Sequence, residues 1–221
     1  MKPPPYDRRI ARVLIRPLAC TPVTPNHVTT LTLLLALAAS ALFARGDAMA
    51  ANWGAGLFAL SRFLDHFDGE LARQNGCASR FGYYFDYIVG ATSYAAMFLG
   101  IGVGLASGPL DGWALALGVT GSCAAFVTLL LNLAIDRRKG FDDGETVGYP
   151  RYGGFELEDG VYLIAPIVWL GWLAPFLVLA AACSVAYCLW TARVLAKTPA
   201  SRCGASTASR RSAGDAGGSR T

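Results

Sequence analysis

From Gly160 to Ala196 the chain is almost free of charge, and this run constrains the fold more than any other feature. Built as one α-helix it would extend roughly 55 Å at 1.5 Å per residue, nearly twice the hydrocarbon thickness of a bilayer. Gly171 to Pro175 supplies the turn signals that divide it into two spans. In hydrocarbon every backbone N–H and C=O must find a partner within the protein, so runs of this kind are helices. His27–Ala44, Asn52–Leu71, Gly82–Ala106 and Trp113–Ile135 are apolar runs of spanning length as well. Of the 221 residues, 54% are hydrophobic and only 15% charged, against about 25% charged in an average soluble domain. The expectation is an all-α integral membrane protein with six transmembrane helices.

The ends of the chain read differently. Tyr6–Leu18 sets Ile10, Val13, Leu14 and Leu18 against Arg8, Arg9, Arg12 and Arg16, the pattern of an amphipathic helix lying in the membrane interface. No cleavable signal is apparent in this basic, proline-containing start. Residues 1–22 are therefore expected to form a cytoplasmic amphipathic segment, 23–197 a six-helix membrane domain, and 198–221, rich in Ser, Ala, Gly and Arg, a disordered basic tail. With six spans, alternating loops place every one of the nineteen Lys and Arg residues except Arg45 on one side. By the positive-inside rule that side is cytoplasmic, with both termini there. The basic residues sit in loops and tails, and the net charge is only +4, which argues against a nucleic-acid partner. The six cysteines show no CxxC pair and no zinc-ligand spacing. Trp53, Trp113, Trp169 and Trp172 read as interfacial aromatics.

Ser61–Gly90 breaks the apolar pattern. It carries Asp65, Asp68, Glu70, Arg73, Arg80 and Asp86. Asp65 and Asp68 are three residues apart and project from one helix face. An ionisable group in a membrane segment costs about 2.5–3.5 kcal/mol on insertion scales, so it is expected to have a function. Oxygen-only ligands favour hard cations such as Mg²⁺ or Mn²⁺, and Mg²⁺ commonly shares its shell with substrate phosphates. Arg73 and Arg80 can neutralise further phosphate charge. These residues point to metal-assisted phosphoryl transfer at the cytoplasmic membrane surface.

Asp65-x-x-Asp68-Gly69-x-x-Ala72-Arg73, then eight residues, Gly82, three more and Asp86, resembles the CDP-alcohol phosphotransferase signature DxxDGxxAR-x8-GxxxDxxxD. The six spans, the basic N-terminal helix and Thr24-Pro25-Asn26 before the first span extend the resemblance beyond the motif. It implies a homodimeric inner-membrane enzyme that displaces CMP from a CDP-linked lipid donor, usually CDP-diacylglycerol, by attack of a small-alcohol or lipid acceptor. It also implies Asp65, Asp68 and Asp86 as ligands to divalent metal, two ions of Mg²⁺ or Mn²⁺. Gly69, Ala72 and Gly82 would line the CMP pocket, Arg73 would contact phosphate, and Asn26 and Thr29 would lie near the nucleotide.

The sequence departs from this signature at its last position, where Gly90 stands in place of the fourth aspartate. In the family that residue is the expected base for the acceptor hydroxyl. Three alternatives follow. Another group serves as base, with Glu158, Asp159 and His66 as candidates; or the acceptor needs no protein base; or the chain is a catalytically impaired relative that binds a CDP-alcohol in a regulatory or dimer-partner role.

Overall fold

A computed structural model describes Ile15 and residues 22–76, 79–108, 110–139, 151–152 and 155–199. Five long or medium helices and one short one make up nearly all of it. They are α1 (Pro25–Ala44), α2 (Ala48–Gln74), α3 (Arg80–Gly104), α4 (Gly112–Lys139), α5 (Ile164–Trp169) and α6 (Leu173–Lys197). A 3₁₀ segment, Leu157–Leu163, leads into α5. The strand content is a two-residue antiparallel pairing of Arg151–Tyr152 with Phe155–Glu156.

Each of the first three helices starts where a short polar side chain captures an orphan backbone N–H. The Thr24 hydroxyl accepts from the His27 amide at 3.4 Å, and His27 Nδ1 in turn accepts from the Thr24 amide, with Pro25 at the first helical position. Asp47 Oδ1 accepts from Ala50 N at 2.8 Å. Ser79 Oγ accepts from Gly82 N at 3.0 Å. These caps explain why α2 and α3 begin ahead of the apolar runs that announce them.

α1 packs against α2 and α3, α3 against α4, and α4 against α6, while α5 lies on α2. The core between them holds Phe43, Phe58, Met97, Phe98, Ile101, Ile164 and Leu177. Small residues let α3 and α4 touch backbone to backbone: a Cβ on Gly118 would sit 2.7 Å from the Phe98 carbonyl oxygen. The outer surface is apolar, with Leu130 at 65% and Leu179 at 65% exposure, as lipid-facing surfaces are. Trp53, Trp113, Trp169 and Trp172 are all exposed, and Trp169 Nε1 donates to the Asn52 carbonyl at 3.1 Å. They gather at the end of the bundle opposite the acidic residues.

The expected six spans do not all appear as spanning helices. Among the described residues four helices, α1, α3, α4 and α6, are long and apolar enough to cross a membrane. α2 has the length, at 27 residues, but its last three turns carry the charged groups. The Gly160–Ala196 run does turn at Gly171, whose φ of +80° suits glycine. Its first half is helical and apolar only over Gly160–Trp169, roughly 15–20 Å long at 1.5–2.0 Å per residue. Hydropathy sees the apolar side chains there but not the 3₁₀ backbone that delays the α-helix. Asp136 to Lys139 extend α4 beyond the apolar run that ends at Ile135. Arg138 Nη1 there donates to the Leu195 and Thr198 carbonyls at 2.8 and 3.1 Å, tying α4 to the end of α6. The amphipathic helix expected over Tyr6–Leu18 lies outside the described residues except for Ile15, which is buried against Phe67 and Leu71. The tail beyond residue 199 lies outside them too.

Candidate active site

α2 and α3 bring the three aspartates of the central stretch together. One ligand oxygen from each of Asp65, Asp68 and Asp86 lies within 4.8 Å of the others. Asp68 is buried, Asp65 partly so, and Asp86 is exposed. Two like charges at that distance repel by about 3 kcal/mol at an effective dielectric near 20, less where water reaches them. The fold meets this repulsion with a short set of donors. Thr29 Oγ1, from α1, donates to Asp68 Oδ2 at 2.5 Å, and the Gly69 amide donates to Asp68 Oδ1 at 2.6 Å. Arg62 Nη2 donates to Asp65 Oδ2 at 2.7 Å. Asp65 Oδ1 is buried and has no hydrogen-bond donor among the described residues. A cation is the partner that would satisfy that oxygen and relieve the repulsion, and the all-oxygen donor set suits Mg²⁺ or Mn²⁺.

The remaining sequence candidates fall around this cluster unevenly. A Cβ placed on Gly82 would come within 3.6 Å of Asn26 Oδ1, so the first turns of α1 and α3 meet at the site. Arg73 is half-exposed and pairs with buried Glu70 at 3.0 Å. A Cβ on Gly69 would be 3.6 Å from the Arg73 guanidinium, and Ala72, one residue before Arg73, is partly buried. His66 turns elsewhere: its Nδ1 lies 3.0 Å from the Arg62 carbonyl and 3.5 Å from the Tyr162 hydroxyl. The backbone of Glu158 and Asp159 belongs to the 3₁₀ segment, and their side chains lie outside the described residues. At Gly90 a Cβ would meet nothing within 4 Å.

Two groups of side chains in or beside the site were not singled out from the sequence. Arg62 is 3% exposed, and its guanidinium carbon stands 4.9 Å from the Tyr94 ring centroid as well as pairing with Asp65. Its signal was its place three residues before Asp65 on an otherwise apolar helix. The second group is Asp136, which accepts hydrogen bonds from both Tyr83 and Tyr87, the latter at 2.8 Å. Tyr83 and Tyr87 flank Asp86 on α3, four residues apart, and only the pairing of α3 with α4 brings Asp136 to them.

A family model described as CDP-alcohol phosphatidyltransferase matches residues 22–192, which include every residue of the site just described. The chain belongs to that family. Among proteins of known activity it is similar to archaetidylinositol phosphate synthases of Pyrococcus horikoshii and Methanothermobacter thermautotrophicus. Identity is 36% over 87 residues for the first, covering 39% of this chain and 45% of that protein. It is 36% over 106 residues for the second, covering 48% and 53%. The chain thus spans about half the length of each relative. Among solved structures it resembles Mycobacterium tuberculosis phosphatidylinositol phosphate synthase with CDP-DAG bound. The TM-score is 0.64 at 22% identity, over 88% of this chain and 95% of that one. The same enzyme in complex with manganese and citrate gives 0.61 at 24%, over 88% and 90%. At these identities the likeness is one of fold. The family places the chain among transferases of phospholipid synthesis that work in membranes.

Proposed function

We propose that this protein transfers a phosphatidyl or other substituted phosphoryl group from a CDP-linked lipid, CDP-diacylglycerol first among them, to an alcohol hydroxyl and releases CMP. The observation that carries the reading is the convergence of Asp65, Asp68 and Asp86 within 4.8 Å at the spacing of the family signature. Those three side chains would hold a divalent Mg²⁺ or Mn²⁺, which when bound neutralises and polarises the diphosphate oxygens. Thr29 and the Gly69 amide hold Asp68 in place for that task. Asn26, Gly69, Ala72 and Gly82 border the room for the nucleotide, and the half-exposed Arg73 can share its guanidinium between Glu70 and a phosphate. The names of the two archaeal relatives make a phosphorylated inositol the first acceptor to test.

In the bilayer we assign α1, α3, α4 and α6 to full spans, α2 to a fifth whose charged end emerges at the cytoplasmic surface, and residues 157–169 to a short sixth segment. Both termini and the site then face the cytoplasm of an inner membrane, and the working form is a homodimer. Gly90 favours a second reading, a relative that binds a CDP-alcohol without efficient turnover, because no side chain stands where the base is expected.

One assay separates the two. Purified protein in lipid nanodiscs with Mg²⁺ and CDP-diacylglycerol is offered inositol phosphate, glycerol phosphate, serine, choline and a lipid hydroxyl in turn. CMP release with any of them supports the enzyme. Measurable CDP binding without CMP release across the panel supports the impaired relative, and absence of both would sink the site.

A further inference from the structure

The signature implies two metal ions; the geometry here points to one. We propose that Arg62 and Gly90 together set the carboxylate cluster to a single divalent cation, an inference that rests on the metal-site reading above. Three carboxylates form the cluster, and Arg62, 3% exposed and 2.7 Å from Asp65, is built into its wall. The Arg62 guanidinium already offsets part of the negative charge that draws cations to the cluster, so a second ion in this partly desolvated site is held less strongly than the first.

Ligand supply leads to the same number. One oxygen of Asp65 is committed to Arg62, and both oxygens of Asp68 already accept hydrogen bonds, from Thr29 and from the Gly69 amide. Among the described residues the buried Asp65 Oδ1 has no donor and is left for a cation, and one oxygen from each of the three carboxylates lies within 4.8 Å of the others. That serves one octahedral ion, which keeps several waters in its shell. A pair of ions about 3.5–4 Å apart needs carboxylates that reach both.

Position 90 is where such a carboxylate would come from. Asp86, Gly90 and Tyr94 are four residues apart and share one face of α3. Asp86 meets Asp65 and Asp68 of α2 at one end of this stripe, and Tyr94 meets Arg62 and Phe58 of α2 at the other. Gly90 lies between them along that face, with open space where a side chain would start. The stripe thus offers a guanidinium beside an empty position where a fourth carboxylate would add both a ligand and a charge.

The test is a count of bound Mn²⁺. Full-length protein in nanodiscs of zwitterionic lipid is titrated with Mn²⁺, with and without CDP, and free ion is read from its six-line EPR spectrum; Asp68→Ala supplies the non-specific baseline. The expected result is one Mn²⁺ per chain with the spectrum of an isolated ion. Gly90→Asp is expected to raise the count to two and to show spin coupling between them. Arg62→Met, which releases the second oxygen of Asp65, provides an independent route to the same gain should Gly90→Asp not fold. Two ions in the unaltered protein would overturn this inference and leave the site intact. One ion in the unaltered protein and in both variants would overturn the roles given to Arg62 and Gly90. No binding above the Asp68→Ala baseline would overturn the metal site itself, and the inference with it.

Discussion

Two acidic clusters stand at the same end of the bundle, and they are resolved in opposite ways. Asp136 meets two tyrosine hydroxyls, one carboxylate with two donors. Asp65, Asp68 and Asp86 meet one another, and among the described residues a buried oxygen of Asp65 has no donor. Folding alone completes the first cluster. The second is left incomplete by its own fold, which is the expected condition of a group that waits for a ligand. An acidic residue in a membrane protein is thus not diagnostic by its presence; what distinguishes the two is whether the fold supplies its counterpart.

The division can be broken most forcefully at Asp68. Asp68→Ala is expected to lower Mn²⁺-dependent CDP binding by at least about 100-fold, beyond what losing a supporting group costs, as read by calorimetry. Binding that survived would move the site elsewhere. Next in size is Gly90→Asp, which restores a carboxylate in open space. A general base contributes about 10²–10⁴-fold, so the rate of CMP release is expected to rise toward the lower end of that range. An unchanged rate would mean that the acceptor's proton leaves by another route.

Asp136→Ala tests the other side of the comparison. It removes an acceptor from two partly buried tyrosine hydroxyls, and each lost hydrogen bond costs about 0.5–1.5 kcal/mol. The protein is expected to lose thermal stability in nanodiscs while its Mn²⁺ affinity stays within about threefold. A collapse of metal affinity with stability retained would make Asp136 part of the site. The smallest effect is expected for Thr29→Val, which removes one donor to Asp68. A charge-assisted bond is worth about 1.5–3 kcal/mol at most, so a roughly tenfold weaker Mn²⁺ affinity with the fold unchanged is the outcome to look for by the same titration.

The aspartates were legible because their chemistry is local. Three-residue spacing puts Asp65 and Asp68 on one face, and Asp86 stood out as a third carboxylate at the head of an apolar run before the signature joined it to them. Asn26 and Thr29 were found through the same resemblance, and the fold then gave them neighbours in Gly82 and Asp68. Arg62 was visible only as one of many basic residues that set orientation. Its burial depends on Tyr94 and Asp65 closing over it, which composition does not reveal. Asp136 stayed hidden for a related reason, since its partners belong to α3 and the α3–α4 register joins them. The same limit explains the span count: hydropathy adds up side chains, whereas the length crossed depends on backbone geometry, and Leu157–Leu163 is 3₁₀.

The caps at Thr24, Asp47 and Ser79 have a consequence for biogenesis. They start α1, α2 and α3, and the candidate ligands Asp65, Asp68 and Asp86, with Asn26, Thr29 and Arg62 around them, lie on those three helices. The translating ribosome therefore releases the whole acidic centre before it has made α4, whose Asp136 holds Tyr83 and Tyr87. During that interval the nascent chain carries its ligands without their brace. Metal capture at this stage would join the first three helices ahead of the last three, and the order of synthesis would become an order of assembly.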